Sequence, residues 1–98
     1  MDQQGLLSRL NANRPDLEAL GLSGISLFGS IARGDANDGS DIDLAVTLDA
    51  SKKIDLFVFA ALSDRLSRLL GAQVDLVVEP ARNPRMQQEI DRDRVRAF

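Results

Sequence analysis

The sequence predicts an α/β (α+β) fold, a small mixed β-sheet with helices packed on one face. Three short apolar segments, at residues 24–28, 41–48 and 73–78, are bounded by glycine or polar residues, as β-strands are. Between the second and third, residues 54–70 carry leucine and phenylalanine at the spacing of an amphipathic helix. A chain of 98 residues, 44% of them hydrophobic, can bury one core, so we expect a single domain at residues 1–98.

The first elements in chain order are two helices and a strand. Leucines recur at helical spacing between Asp2 and Leu10, which indicates a first helix. Pro15 is suited to the first turn of a short second helix, and Gly21 is typical of a helix end. The apolar segment Gly24–Phe28 is the first predicted strand.

A strand, a long helix and another strand follow. Asp41–Leu48 is the second predicted strand, and Ile54–Leu70 is the longest predicted helix, ended by Gly71. Its core side is expected to contain Phe59, Leu62, Leu66, and Leu69 or Leu70. The aromatic pair Phe57 and Phe59 is expected to belong to the core rather than to a surface that stacks on bases. Gln73–Val78 is the third predicted strand, and Glu79-Pro80 ends it.

The C-terminal part predicts one more helix and a tail. Asn83-Pro84 has the residues of a helix N-cap and first helical position, and the helix is expected to continue to about Asp91. Met86 and Ile90 are expected to face inward. The tail Val95–Phe98 is compatible with a short strand or with a contact to a partner, and the sequence leaves both open.

Composition excludes several classes of site and partner. The absence of cysteine excludes disulfides and cysteine nucleophiles, and the absence of histidine removes most zinc chemistry. No apolar run approaches the ~20 residues of a membrane span, and the N-terminus lacks a signal pattern, so a cytoplasmic protein is expected. A net charge of −3 argues against direct binding of nucleic acid and favours a protein partner.

The stretch Leu27–Val46 carries the strongest chemical signal. Gly29-Ser30 is separated by ten residues from Asp41-Ile42-Asp43. The two-residue period of a strand puts the side chains of Asp41 and Asp43 on one face, opposite the apolar residues. Neighbouring carboxylates repel each other and are costly to hold near an apolar core, which indicates a bound cation. Oxygen ligands favour Mg²⁺, with Mn²⁺ as an alternative.

Gly29 and Ser30 are predicted to bind phosphate. They lie where an apolar strand gives way to a helical turn, and backbone N–H groups at a helix start attract anions. Glycine at position 29 allows a phosphate to approach the backbone, and the Ser30 hydroxyl can hydrogen-bond a phosphate oxygen.

Arg33 and Ser40 are further candidates for the nucleotide site. Arg33 could contact the phosphates or brace the acidic loop through Asp35 or Asp38, and the second role is favoured. Ser40 could lie at the nucleotide, but as a residue of the turn it is better suited to cap that turn.

Asp75 is the candidate for a third carboxylate. In the third predicted strand, Val74, Leu76 and Val78 alternate with Gln73, Asp75 and Val77. Asp75 therefore lies on the face opposite the apolar one, as Asp41 and Asp43 do. If the second and third strands are neighbours, Asp75 completes a group of three carboxylates that could bind metal.

These motifs resemble the signature of the DNA polymerase β-like nucleotidyltransferase superfamily. The resemblance rests on Gly29-Ser30, the ten-residue spacing and Asp41-Ile42-Asp43, with Ala32-Arg33-Gly34 after the first motif and Ser40 before the second. The short length resembles its minimal nucleotidyltransferase (MNT) branch. Members of that branch often act as antitoxins paired with HEPN-domain ribonuclease toxins.

The resemblance implies a fold, a reaction and a partner. It implies a polymerase β-like nucleotidyltransferase fold and transfer of AMP from ATP to a hydroxyl side chain of a cognate HEPN-type toxin. Asp41 and Asp43 would hold Mg²⁺, and Asp75 would help to activate the acceptor hydroxyl. Larger members carry another domain that holds the acceptor, so this chain is expected to form a hetero-oligomer with the toxin, with a homodimer as a further possibility.

Two other functions fit the same residues. One is a small-molecule nucleotidyltransferase subunit of the antibiotic-modifying kind, which would need a second subunit to build its pocket. The other is a non-catalytic module that neutralises a toxin by covering its active site. Transfer to an aminoglycoside would indicate the first, and full neutralisation by a variant without Asp41 and Asp43 would indicate the second.

Overall fold

The computed structural model describes residues 2–37 and 39–98, and this part of the chain contains five helices and four strands. The helices are α1 (Gln3–Ala12), α2 (Arg14–Ala19), α3 (Gly29–Arg33), α4 (Leu56–Leu70) and α5 (Pro84–Asp93). The strands are β1 (Leu22–Phe28), β2 (Ile42–Leu48), β3 (Val74–Val78) and β4 (Val95–Arg96). Within the same residues, no helix is both long and apolar enough to cross a bilayer.

The strands form one mixed sheet in the order β3-β2-β1-β4. β1 and β2 are antiparallel because the loop that contains Gly34 and Gly39 turns the chain back on itself. β2 and β3 are parallel, since α4 carries the chain back to the end of the sheet where β2 begins. β4 pairs antiparallel with β1, so the tail forms a short strand. The predicted mixed α/β fold is confirmed.

One face of the sheet carries the main core. Alternate side chains of β1, β2 and β3, among them Leu27, Leu44 and Val74, are buried in one cluster with residues of α1 to α4. The helical members of this cluster are Leu6, Leu10, Leu17, Ile31, Leu62, Leu66 and Leu70. The prediction of helices on one face therefore describes α1 to α4.

The opposite face is partly covered by α5. Phe28, Ala45 and Ile90 are buried together there, with Met86 packed against them. Met86 and Ile90 face inward as predicted, but toward the face of the sheet that also carries Asp43 and Asp75. The consequence is that α5 forms a wall beside the predicted carboxylates.

Helix ends follow the local sequence. The Asp55 side chain accepts a hydrogen bond from the backbone N–H of Val58, and the Asn83 side chain accepts one from that of Arg85. α4 therefore begins at Leu56, two residues after the predicted start, and it ends at Gly71 in the left-handed conformation. The expectation that Phe57 is in the core is wrong, because its position in the first turn of α4 leaves it 85% exposed.

Candidate functional site

The sheet topology brings two predicted carboxylates together. In the parallel pair formed by β2 and β3, Asp43 lies directly opposite Asp75, and across β1 it lies opposite Phe28, the last residue before Gly29. Neighbouring strands are separated by about 4.8 Å. The side chains of Asp43 and Asp75 therefore lie on the same face of the sheet, on adjacent strands. The condition on which the role of Asp75 depends, that the second and third strands are neighbours, is therefore met.

Gly29 lies against the Asp43 carboxylate. Its φ is +74°, which lies in the left-handed region that favours glycine. A Cβ atom at this position would collide with Oδ2 of Asp43 and would lie 3.0 Å from its Cγ. Only a residue without a side chain therefore allows the junction of β1 and α3 to approach the carboxylate this closely.

The start of α3 is open to a ligand. Phe28 occupies the N-cap position of this helix, and in the described part of the chain no side chain caps its first N–H groups. Ser30 follows in the first turn and lines the cleft described below. The prediction that Gly29 and Ser30 bind phosphate is compatible with this geometry and stays a prediction.

Asp43 is held in an environment that opposes its ionisation. Partial burial raises the pKa of Asp43, and the negative charges of Asp75 and then Asp41 raise it further. The positive charge of Arg33 acts in the opposite direction. The site therefore gathers negative charge beyond what the protein itself neutralises, as expected where a cation or a cationic group of another molecule is bound.

Asp41 contributes its charge from outside the sheet. It is exposed and immediately precedes β2, whereas Asp43 is half-buried within that strand. Among residues 2–37 and 39–98, no three histidine, cysteine or acidic side chains are already gathered closely enough to hold a metal ion. Metal binding by Asp41, Asp43 and Asp75 together stays a prediction.

The donor chemistry at this position fits magnesium. Carboxylate oxygens are the ligands that Mg²⁺ prefers, and this ion usually keeps several waters and also binds phosphates of the substrate rather than filling an all-protein cage. Asp43 and Asp75 can supply such oxygens from adjacent strands, and Asp41 reaches the same region electrostatically.

A cleft of about 660 Å³ is lined by Gly29, Ser30, Asp43 and Asp75, whereas Asp41 is not among its lining residues. Its floor is formed by the ends of β1, β2 and β3, and its walls by α3 and α5. The charged residues that line it are Arg33, Asp43, Asp75, Glu89 and Arg92. Glu89 and Arg92 were not among the residues predicted from the sequence, because their position depends on the packing of α5 against the sheet.

Asp93 links the two walls of the cleft. Its side chain is only 4% exposed and accepts hydrogen bonds from Arg33 on α3 and from Arg92 on α5. The bonds to Arg92 hold the pKa of the Asp93 carboxyl below its usual value, and the bond to Arg33 acts in the same direction. The three-residue steps from Ile90 to Asp93 and from Met86 to Glu89 place both acids near the inward side of α5. The predicted helix contained Glu89 but ended before Asp93.

The structure gives Arg33 and Ser40 defined contacts. Arg33 donates from Nε to Asp35 at 3.2 Å and therefore braces the acidic loop, while it also lines the cleft. The bracing contact with Asp38 falls on a residue outside those described. Ser40 accepts a hydrogen bond from the backbone N–H of Asn37 and thus closes the turn. A contact of Ser40 with a nucleotide stays a prediction.

A second cleft lies between α2 and α4 and lacks this chemistry. Its volume is about 520 Å³. Its charged side chains are paired within the protein, Arg65 with Asp16 at 2.9 Å and Arg68 with Asp64 at 3.2 Å. The cleft beside Asp43 is therefore the better candidate for the functional site.

Comparison with known proteins gives consistent matches. The model of a family described as "Nucleotidyltransferase domain" matches residues 12–97. The protein adenylyltransferase MntA of Thermococcus cleftensis is 40% identical over 73 residues, which are 74% of this chain and 72% of the relative. A structure described as a minimal nucleotidyltransferase is 34% identical, with a TM-score of 0.78 over 97% of this chain and 95% of the other.

A further match comes from a complex of two proteins. It contains a tri-AMPylated HEPN toxin of Shewanella oneidensis and an MNT antitoxin. The matching chain is 26% identical, with a TM-score of 0.62 over 91% of this chain and 70% of the other.

Proposed function

We propose, from the premise that this chain belongs to the nucleotidyltransferase domain family, that it transfers AMP from ATP to a hydroxyl side chain of a HEPN-type toxin. The observation that carries the proposal is the pairing of Asp43 with Asp75 directly beside Gly29. The choice of acceptor is supported by the adenylyltransferase relative and by the complex of AMPylated toxin and antitoxin. The proposal includes ATP as the substrate and the toxin as the partner of this chain.

The proposed reaction replaces one phosphorus–oxygen bond by another. The hydroxyl oxygen of the acceptor forms a bond to the α-phosphorus of ATP, and the bond between that phosphorus and the oxygen bridging to the β-phosphate breaks. Pyrophosphate leaves, and the hydroxyl proton passes to a carboxylate at the cleft floor. Asp75, on the exposed edge strand, is the residue proposed to accept this proton.

Two sets of residues would bind the phosphates and the metal ion. Gly29, Ser30 and Arg33 would bind and orient the phosphates, so that the α-phosphorus faces the acceptor in line with the leaving group. Asp41, Asp43 and Asp75 are the residues that would hold Mg²⁺. When bound, this ion would neutralise phosphate oxygens and favour departure of pyrophosphate. We propose that the reaction takes place in the cytoplasm, where ATP is available.

The test of this proposal measures the mass of the acceptor. The protein is incubated with ATP, Mg²⁺ and a purified HEPN-type toxin encoded beside its gene. We expect the toxin mass to rise by one or more AMP residues and its ribonuclease activity to fall. We expect no mass change with the double variant Asp41→Ala/Asp43→Ala, because the variant lacks two of the three proposed metal ligands.

Other outcomes identify the other candidate functions. An unchanged toxin mass with the wild-type protein would contradict the proposal. If the double variant still neutralised the toxin completely, masking of the toxin would be the function. Transfer of AMP to an aminoglycoside in the absence of protein acceptor would indicate a small-molecule nucleotidyltransferase. The charge-matched control is Asp16→Ala/Asp64→Ala, which removes two exposed carboxylates far from the cleft.

A further inference from the structure

Two guanidinium groups meet at one buried carboxylate beside the cleft. Nη1 of Arg33 donates to Oδ2 of Asp93 at 2.8 Å. Arg92 donates to the same side chain twice, from Nε to Oδ1 at 2.9 Å and from Nη2 to Oδ2 at 3.2 Å. Because the Asp93 side chain is only 4% exposed, the protein holds this carboxylate in place, and its hydrogen bonds orient both guanidinium groups.

Both arginines keep hydrogen-bond donors that the two aspartates do not use. A guanidinium group carries five N–H donors, and only part of each set is used by Asp93 and Asp35. The side chain of Arg33 is 44% exposed and that of Arg92 63%. Both residues line the cleft together with Ser30. The wall formed by α3 and α5 thus presents positive donors on the side of the predicted phosphate turn.

The other charged residues that line the cleft are acidic, so the two arginines favour an anionic ligand that these acids oppose. Asp43, Asp75 and Glu89 line the same cleft, and each would repel a triphosphate. Arg33 and Arg92 are the cations among the residues that line it. Each arginine uses two donors on aspartates of the protein and keeps others for a ligand, so Arg92 adds a second positive group to the cleft that Ser30 also lines.

We propose that Arg92 binds the β- and γ-phosphates of the nucleotide, and that Asp93 is a positioning residue that fixes Arg92 and Arg33 at the cleft wall. The inference rests on the proposed function and deepens it. Arg92 and Arg33 both donate to Oδ2 of Asp93, so Arg92 is held beside the helix that begins at Gly29-Ser30, the predicted phosphate site. A triphosphate bound there is the ligand that fits both arginines. Glu89, about one turn earlier on α5, adds a negative charge to the same wall.

Calorimetry with ATP and with AMP tests the role of Arg92. We expect Arg92→Ala to weaken binding of ATP, in the presence of Mg²⁺, by about tenfold or more, because a charge-assisted hydrogen bond is lost. Binding of AMP should change less than about twofold, since AMP lacks the two outer phosphates. Arg92→Lys should restore part of the affinity for ATP, because it restores the charge without the fork of donors.

Arg85→Ala is the matched control for Arg92→Ala. Arg85 lies on the same helix, is exposed and forms no ion pair within the described residues. The variant removes the same charge from α5, and its affinity for ATP should remain that of the wild type. If Arg92→Ala binds ATP as the wild type does, or loses ATP and AMP equally, the role of Arg92 is wrong. If the wild type itself binds no ATP, the proposed function fails with it.

Asp93→Asn distinguishes two effects of Asp93 on ATP binding, the orientation of the two arginines and the negative charge of the carboxylate itself. The substitution makes the cleft wall more positive, so an effect of charge alone would strengthen ATP binding. If Asp93 fixes the two arginines, the variant should instead bind ATP more weakly, by about threefold to tenfold. Asp91→Asn makes the same change of charge at an exposed position of α5 and should leave affinity unchanged. Unchanged or tighter ATP binding by a folded Asp93→Asn variant would overturn the positioning role.

Discussion

Replacing Asp43 by asparagine is expected to abolish AMP transfer and, at the same time, to stabilise the fold. The activity should fall by roughly a thousandfold, because stabilisation of phosphate charge through a bound ion is worth several kcal/mol and each ~1.4 kcal/mol is a factor of ten. The melting temperature should rise by about 2–5 °C, since the amide removes an electrostatic cost without changing side-chain shape.

The physical reason for the stabilisation is the set of neighbours of Asp43. Burial opposes its charged form, and Asp75 and Asp41 repel it. Asp49→Asn is the matched control, because hydrogen bonds from the side chain and backbone of Ser51 lower the pKa of Asp49. The same substitution should therefore destabilise the protein at position 49 and stabilise it at position 43, as measured by thermal unfolding at neutral pH.

The stabilisation should depend on pH with a defined sign. The pKa of Asp43 in the folded protein lies above its ordinary value of 3.8. Between these two values the folded state binds more protons than the unfolded state, so this group reduces stability as the pH rises through that window. The advantage of Asp43→Asn should be complete above the window and should disappear well below pH 3.8, where Asp43 is neutral in both states.

Magnesium should reverse the order of stability. An ion bound between carboxylates of the folded protein adds stability by mass action and removes the repulsion that Asp43→Asn relieves. Added Mg²⁺ should therefore raise the melting temperature of the wild type more than that of the variant. If Mg²⁺ affects both proteins equally, Asp43 is not a ligand. If Asp43→Asn is less stable than the wild type without Mg²⁺, the electrostatic account of the site is wrong.

Local patterns were sufficient to predict much of this fold. The alternation in β2 and β3 depends only on nearest neighbours in sequence, so it placed Asp43 and Asp75 on the same face of the sheet. The caps at Asn83 and Gly71 are also local and lie where they were predicted. The pairing of β2 with β3 was a condition of the prediction, and the crossover through α4 fulfils it.

The second wall of the cleft could not be predicted in the same way. The helical spacing of Met86 and Ile90 identifies the inward side of α5 but contains no information on which face of the sheet it covers. The predicted end at Asp91 also left Asp93 outside the helix. The hydrogen bond between Arg33 and Asp93 joins residues 60 positions apart in sequence, and only tertiary packing brings them together.

Gly29→Ala is expected to remove AMP transfer, whereas Gly34→Ala should retain most of it. Both glycines have positive φ, +74° at Gly29 and +81° at Gly34. Alanine at either position should therefore lower the free energy of unfolding by about 1 kcal/mol or more. A Cβ atom at position 34 meets nothing within 4 Å, whereas at position 29 it would collide with the Asp43 carboxylate. Gly34→Ala therefore measures the backbone cost alone.

The difference in AMP-transfer rate between Gly29→Ala and Gly34→Ala measures the effect of displacing the Asp43 carboxylate. Gly29→Ala must move the carboxylate away from the junction of β1 and α3, and a misplacement of about 1 Å at a reacting centre can cost roughly a hundredfold in rate. In an Asp43→Ala background most of this collision is gone, so Gly29→Ala and Gly34→Ala should then destabilise the protein by similar amounts in urea unfolding. A larger cost at position 29 that persisted in this background would show that the strain lies in the backbone. Equal transfer rates for the two single variants would show that Asp43 does not need its position against Gly29.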